Sequence, residues 1–391
     1  MVSQSKLGKW PLILSVTASL MLLYPGCGGE AEQPVEGQGE RADLDTGTGA
    51  SMPEPDRLLV PVDTIGIEIG DSNYVFGQIA AADFLPDGRI GILDMQGCYI
   101  GIFSPEGEFL QRIGRQGSGP GEFLLPASFS FFPDGGIIVA DAMAGRLSLF
   151  DSTFAYEDEI TGFFPSPPVG IIAINDGAFV GMKPLFEQNE QGMFMGFEIA
   201  RYEDSNEPTL VYFSETQPFD PADLAGSFGE SIAFFTATQD GRVFVSPMSD
   251  DQYVVTCYDD TGAVSFDIER EVERVPKTEE EIREEKTMVE ERMIAGGMPP
   301  EMANWNPTPY RLTVGGLGVD DQDRLWVVRA SYRQPFAEVY EPGGSQVLFT
   351  AALDPSMPDA EDLMLLVTPG GIVAMDPNPE DYPRLYLLEL R

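Results

Sequence analysis

Residues 84–123 read FLPDGRIGILDMQGCYIGIFSPEGEFLQRIGRQGSGPGEF. A Pro86-Asp87-Gly88 turn leads through Arg89 into the apolar run Ile90–Leu93, which Asp94 closes. A second run, Tyr99–Phe103, a second turn, Pro105-Glu106-Gly107, and a third run, Phe109–Ile113, follow. Short β-rich runs joined by Gly-containing turns make an antiparallel meander, because such turns join neighbouring strands directly. One meander cannot bury its own faces, so it needs neighbours of the same kind.

The same chain supplies them. Phe132-Pro133-Asp134-Gly135-Gly136 leads into Ile137–Asp141, and Arg146–Asp151 takes the place of Tyr99–Ser104. Weaker copies begin at Asn175-Asp176-Gly177, Gln239-Asp240-Gly241, Asp321-Gln322-Asp323 and Pro369-Gly370-Gly371. Each precedes an apolar run and then a second β-rich run, at 197–202, 253–258, 337–340 and 384–390. This gives about six units at a period of roughly 40 to 50 residues, the spacing of propeller blades. The expected fold is all-β, a six-bladed β-propeller spanning 57–391 as one domain, because such blades bury their faces only against each other.

Leu58-Leu59-Val60 and Ile65–Ile69 read as strand before any complete unit has begun, while the last unit ends at Arg391 without its outermost strand. The expected resolution is that the N-terminal strand completes the last blade, which removes an exposed sheet edge.

Upstream, Lys6 and Lys9 precede a short apolar core, Trp10–Leu23, and the segment ends Tyr24-Pro25-Gly26-Cys27. Residues 1–27 therefore read as an export signal, too short for a membrane span. They resemble a bacterial lipoprotein signal, which implies lipidation at Cys27 and a lipid-anchored place in the bacterial cell envelope. Tyr24 and Pro25 depart from that pattern, and an ordinary secretory signal is the alternative. Residues 28–56, rich in Gly, Glu, Asp, Thr and Pro, bury too little surface to fold and read as a disordered tether.

The 391 residues carry a formal charge of −41 and no histidine. The acidity argues against nucleic acid as a partner, since phosphates would be repelled. Its plain reading is solubility; divalent-cation binding by clustered carboxylates is the sharper one. Without histidine, Ser-His-Asp chemistry and every histidine metal site are excluded. Cys98 and Cys257 fall in the first and fourth units, on opposite sides of a six-fold ring, so two unpaired buried thiols are expected.

Ile113-Gly114-Arg115-Gln116-Gly117-Ser118-Gly119-Pro120-Gly121-Glu122-Phe123-Leu124-Leu125-Pro126 joins the first two units. It lacks the spacing and the Gly-Lys-Ser/Thr of a phosphate-binding loop and reads as a blade-to-blade crossover. With the Pro-Asp-Gly turn at 133–135 and Val-Ala-Asp at 139–141, it resembles the NHL-type, TolB-like six-bladed propellers of bacteria. Relatives in that class include lactonase-like enzymes that hold calcium with channel carboxylates, and amidating lyases whose metal site needs histidines. The presumed inner strands (80–84, 127–132, 169–174, 231–236, 312–319 and 363–367) hold one acidic residue, Asp83. A calcium ion takes about six oxygen ligands, so no resident metal or cofactor is expected.

Two insertions interrupt the pattern. Residues 184–196, with Met and Phe, are expected to fold over one face, and 214–230 to form a polar loop. Residues 276–297 read as the one helix, near 278–295: Thr278 and Glu281 form a capping box, acidic residues fill the first turn and Gly296-Gly297 ends it. Its stripe of Ile282, Met288, Val289, Met293 and Ile294 is read as packing.

Cations are scarce, so those near expected blade ends stand out: Arg112, Arg115, Arg329 and Arg333, with Tyr310. They form either an anion-recognising patch or plain ion pairs with the abundant carboxylates, the second being the leading reading. Acidic pairs such as Asp250-Asp251, Asp259-Asp260 and Asp320-Asp321 read as turn formers. The function expected is a monomeric, membrane-tethered binding or scaffold module for a protein, peptide or glycan, without catalysis. The alternative is a lactonase-like hydrolase or lyase with a channel site that includes Asp83.

Overall fold

The computed structural model describes residues 52–190, 192–220, 232–295, 299–300, 303–358, 360–376, 379 and 381–391. Residues 1–51, which hold the expected export signal, Cys27 and most of the expected tether, lie outside the described residues.

A first strand, β1 (Arg57–Ile65), precedes five four-strand units and a final unit of three strands. The first unit is β2 (Ile79–Phe84), β3 (Ile90–Asp94), β4 (Tyr99–Phe103) and β5 (Phe109–Ile113). The second is β6 (Pro126–Phe131), β7 (Ile137–Asp141), β8 (Arg146–Phe150) and β9 (Tyr156–Thr161). The third is β10 (Val169–Ala173), β11 (Phe179–Asn189), β12 (Gly192–Tyr202) and β13 (Leu210–Pro218). The fourth is β14 (Ala233–Ala237), β15 (Val243–Pro247), β16 (Tyr253–Tyr258) and β17 (Val264–Arg270), and the helix α1 (Glu279–Ala295) follows it. The fifth is β18 (Gly316–Val319), β19 (Leu325–Arg329), β20 (Phe336–Tyr340) and β21 (Val347–Leu353). The sixth is β22 (Met364–Thr368), β23 (Gly371–Met375) and β24 (Leu385–Leu390). Each unit is an antiparallel sheet in sequence order, and together they form a six-bladed propeller.

β1 supplies the missing fourth strand of the last blade. It pairs antiparallel with β24 from Leu59↔Leu390 to Ile65↔Leu385, with a bulge between Pro61 and Asp63. It also does what the sequence did not suggest. Arg57–Leu59 pair in parallel with Ala351–Leu353 of β21, so blades five and six merge into one eight-stranded sheet. Just before β1, the Asp56 carboxylate accepts from the Thr350 amide at 2.8 Å.

Several segments differ from expectation. Ile65–Ile69 is not a second strand: β1 ends at Ile65, and Ile69 is exposed in the following crossover. Residues 184–196 do not fold over a face; they lengthen β11 and β12 into a hairpin paired to Asn189↔Gly192. The start of the expected polar loop, 214–218, belongs to β13. The fifth inner strand begins at Gly316 rather than Leu312, because the Thr313 amide donates to the Ser249 carbonyl of the neighbouring blade at 2.9 Å.

Middle strands are buried on both faces, since each blade lies between two others; Ile90–Asp94, Tyr99–Phe103 and Ile137–Asp141 are buried throughout. Outer strands such as Phe109–Ile113 are mostly exposed. The recurrent Asp at the end of a blade's second strand fastens the incoming crossover. Asp94 accepts from the amides of Gly77, Gln78 and Gly97, and Asp141 from those of Leu124, Leu125 and Ala144. Inner strands have a free edge, whose amides need partners from the next blade. Asp83 Oδ2 accepts from Ser130 Oγ and from the Phe131 amide, both at 2.9 Å, and Ser130 Oγ accepts from the Ala173 amide at 3.1 Å. Where blade six meets blade one, Phe84 packs on Gly370-Gly371; a methyl built on Gly370 would fall 2.1 Å from Phe84 Cβ. Cys98 and Cys257 are free and buried.

Replacing Gly370 by Ala should overpack this seam and cost about 1–3 kcal/mol, measured as a lowered urea midpoint; an unchanged midpoint would show that the seam yields freely. The outer turns predict an acid dependence. Asp151 and Asp259 are held below the ordinary carboxylate range, first by the Thr153 and Thr261 hydroxyls and then by the Ala155 and Ala263 amides. A depressed folded pKa stabilises above the unfolded value, about 3.9, and that gain is lost as pH falls through the folded value. The stability difference between the native chain and Asp151→Ala/Asp259→Ala should therefore be present at neutral pH and shrink below about pH 4; a difference constant down to pH 2–3 contradicts the assignment.

Candidate functional site

Alternation of antiparallel strands gives the ring two unlike ends. One carries the tight turns between first and second strands and between third and fourth strands. The other carries the loops between second and third strands, with the inner ends of the crossovers. At the turn end several carboxylates serve their own turns. Asp87 accepts from the Arg89 amide, Asp134 from the Gly136 amide, and Asp240 pairs with Arg242.

The other end concentrates large side chains. Among the described residues, the exposed large apolar side chains outside strands are Ile69, Val75, Leu124, Met143, Phe164 and Ile294. All six belong to crossovers or to second-to-third-strand loops. Phe186, on the β11–β12 extension at the same end, is exposed too.

At the seam of blades four and five this end carries a polar cluster built on Glu338. The β20 position of Glu338 faces blade four, and its side chain is nearly buried. Glu338 Oε2 accepts from the Tyr253 hydroxyl at 2.7 Å and the Tyr340 hydroxyl at 2.9 Å, and the two hydroxyls lie 2.8 Å apart. Its Oε1 accepts from Arg270 and Arg329, each at 3.2 Å. Burial, with the Glu338 charge, pushes the Tyr253 hydroxyl pKa upward; burial does the same for Tyr340. Two guanidiniums share one carboxylate, so the cluster itself carries an excess positive charge. Arg329 occupies the position that Asp94 and Asp141 hold in the first two blades. It fastens the crossover with the opposite polarity, donating to the Thr313 carbonyl at 3.2 Å.

The patch extends along neighbouring chain. Arg329 lies 5.8 Å from the Tyr332 ring centroid, and Arg333 follows, half-exposed, 4.0 Å from Glu361. Arg274 lies 3.9 Å over the Tyr310 ring and pairs with Asp250 at 2.8 Å. Arg311 donates to the Ser331 carbonyl at 3.3 Å and pairs with Glu281 of α1.

α1 borders this region through the Arg311–Glu281 pair. Thr278 and Glu281 form the capping box, with the Thr278 amide donating to Glu281 at 2.8 Å and the Glu281 amide to Thr278 Oγ1 at 3.2 Å. Met288, Val289 and Met293 are buried, whereas Ile294 is exposed. The stripe also holds a buried charge that the apolar pattern concealed. Glu285 pairs with Lys277 at 2.7 Å and accepts from the Trp305 indole at 2.9 Å. Desolvation pushes the Glu285 carboxyl up and the Lys277 ammonium down.

Of the sequence candidates, the structure places Tyr310, Arg329 and Arg333 at this seam. Arg115 is apart, exposed and paired with Glu122 at 2.7 Å inside the Gly-rich crossover. Asp83 is apart as well, in the seam of blades one and two; burial pushes its carboxyl up. Cys27 lies outside the described residues. Sequence reading missed Arg270, Arg274, Tyr253, Tyr340 and Glu338. The usable signal was Glu338 itself, a charge inside the β-rich run FAEVY that has no polar counterpart at Gly101 of blade one. Among the described residues no group of three or more Cys, Asp or Glu is arranged to hold a metal ion, and no helix is long and apolar enough to cross a membrane.

Residues 63–178 match the model of a family described as a 6-bladed beta-propeller, DUF5128. No curated protein matches the chain. Similar solved structures include a member of the DUF4221 family from Bacteroides vulgatus, 11% identical, covering 87% of this chain and 99% of that one at a TM-score of 0.48. A putative exported protein from Bacteroides fragilis is 13% identical, covering 86% and 95% at a TM-score of 0.44. A streptogramin B lyase is 11% identical, covering 84% and 87% at a TM-score of 0.41.

Proposed function

We propose that this chain is a non-catalytic binding module, tethered by Cys27 to the bacterial cell envelope, whose crossover end captures a carboxylate-bearing protein, peptide or glycan. The observation that carries the reading is the gathering of Arg270, Arg274 and Arg333 with the partly exposed Tyr310 and Tyr332 at one seam, above the buried Tyr253 and Tyr340, in a chain with so few cations. Arg and Tyr suit recognition surfaces, since they combine directed hydrogen bonding with a large apolar area. Glu338 holds Arg270 and Arg329 in place from beneath, so the guanidiniums are positioned before a ligand arrives. The net charge of −41 opposes anionic ligands at long range. That field is screened beyond roughly 8 Å at physiological ionic strength, so contacts at the seam decide affinity. The tether rests on the signal-like segment that ends at Cys27 and on the Gly-rich acidic stretch after it.

Poly-L-glutamate and an oligogalacturonate serve as peptide and glycan probes at physiological ionic strength, where the long-range field of the chain is screened. At least one should bind, and Arg270→Ala/Arg274→Ala/Arg333→Ala should weaken it by about tenfold or more, as expected when several charge-assisted contacts are lost. Arg89→Ala/Arg242→Ala at the turn end should leave binding unchanged. Binding by neither probe, or equal weakening by both variants, contradicts the reading.

A further inference from the structure

The turn end carries a separate site. Between blades two and three lies a cleft of about 280 Å³. Phe132, Ile138 and Leu149 of blade two and Phe179 of blade three form its apolar wall. Glu203 and Asp204, in the turn between β12 and β13, form its rim. Gly177 completes the lining, and the space where its side chain would be is open.

The two rim carboxylates are unengaged, as are Glu106, Asp260 and Asp321 of other turns; what sets them apart is the cleft beneath them. Asp151 and Asp259 accept from their own Thr hydroxyls, Asp87 and Asp240 pair with arginines, and Asp134 accepts from a backbone amide. Glu203 and Asp204 are exposed, and neither pairs with or accepts from any described residue. Two unengaged negative charges above a wall with two aromatic rings call for one kind of occupant. The charges demand a cation, and the partly exposed Phe132 and Leu149 of the wall an apolar stem.

We infer that this cleft binds an alkylammonium group, as carried by a lysine side chain or a free aliphatic amine. The overall negative field of the chain raises the local concentration of such cations. The site lies at the opposite end from the arginine seam and does not depend on the function proposed for it.

The test is a titration of methyl-labelled full-length protein at low salt with n-hexylammonium, N-acetyl-lysine methylamide, its Nε-acetylated form and n-hexanol. Ile138 and Leu149 methyl signals should shift saturably with hexylammonium, and not with hexanol or the acetylated form. Glu203→Gln/Asp204→Asn, both exposed changes, should weaken binding by about three- to tenfold, as for two solvent-facing ion pairs. Glu203→Lys should abolish it by supplying an internal ammonium. Binding of the lysine derivative alongside hexylammonium assigns the cleft to protein or peptide side chains, and binding of hexylammonium alone to free amines. Equal shifts with hexanol, no effect of the carboxamide variant, or no shift at Ile138 and Leu149 would overturn the inference.

Discussion

A four-stranded blade is too small to stand alone, and a ring of blades fails wherever an edge stays open. β1 meets both constraints at one place. It lies between β24 and β21, so the first described strand of the chain closes the last blade and joins it to the blade before. The ends of the strand pair lock on each other as well, since Leu58 and the C-terminal Arg391 exchange backbone hydrogen bonds at 3.0 and 2.8 Å. The burial of every middle strand depends on this closure, because each blade is the cover of its neighbours.

Within the closed ring, polar groups do two kinds of work. Where the repeat is strong, Asp94 and Asp141 collect crossover amides and serve geometry alone. Where the repeat weakens, in blades four and five, Arg329 replaces that Asp, and Glu338 appears between two arginines and two tyrosines. Unpaired, so buried a carboxylate would be strongly destabilising; here it ties the partly exposed Arg270 to the buried Tyr253 and Tyr340 and the nearly buried Arg329. The departure from the repeat and the candidate binding surface therefore coincide.

Much of the architecture was legible, for physical reasons. Gly-containing turns such as Pro86-Asp87-Gly88 and Pro133-Asp134-Gly135 mark hairpins whatever surrounds them, and the lone capping box marks α1. Closure by the N-terminal strand followed from counting strands. Two features could not be read. The parallel pairing of Arg57–Leu59 with Ala351–Leu353 leaves no local trace. Residues 184–196 carry the Met and Phe of a covering loop yet simply continue two strands. Of the candidate residues, Tyr310, Arg329 and Arg333 were chosen as rare cations and an aromatic near blade ends, and they do share a seam. Their organiser, Glu338, looked like one more acid in an acidic chain, and Asp83 looked like a channel group although its carboxylate fastens blade two to blade one.

Ring closure is tested most directly by amide hydrogen exchange of the native chain. If β1 belongs to one cooperative unit with the blades, its paired amides should exchange only through global unfolding, at the same opening free energy as those of β3 and β7. Exchange of β1 faster by about a hundredfold or more, with β3 and β7 still protected, would show a detachable strand and an open ring, and would contradict the account.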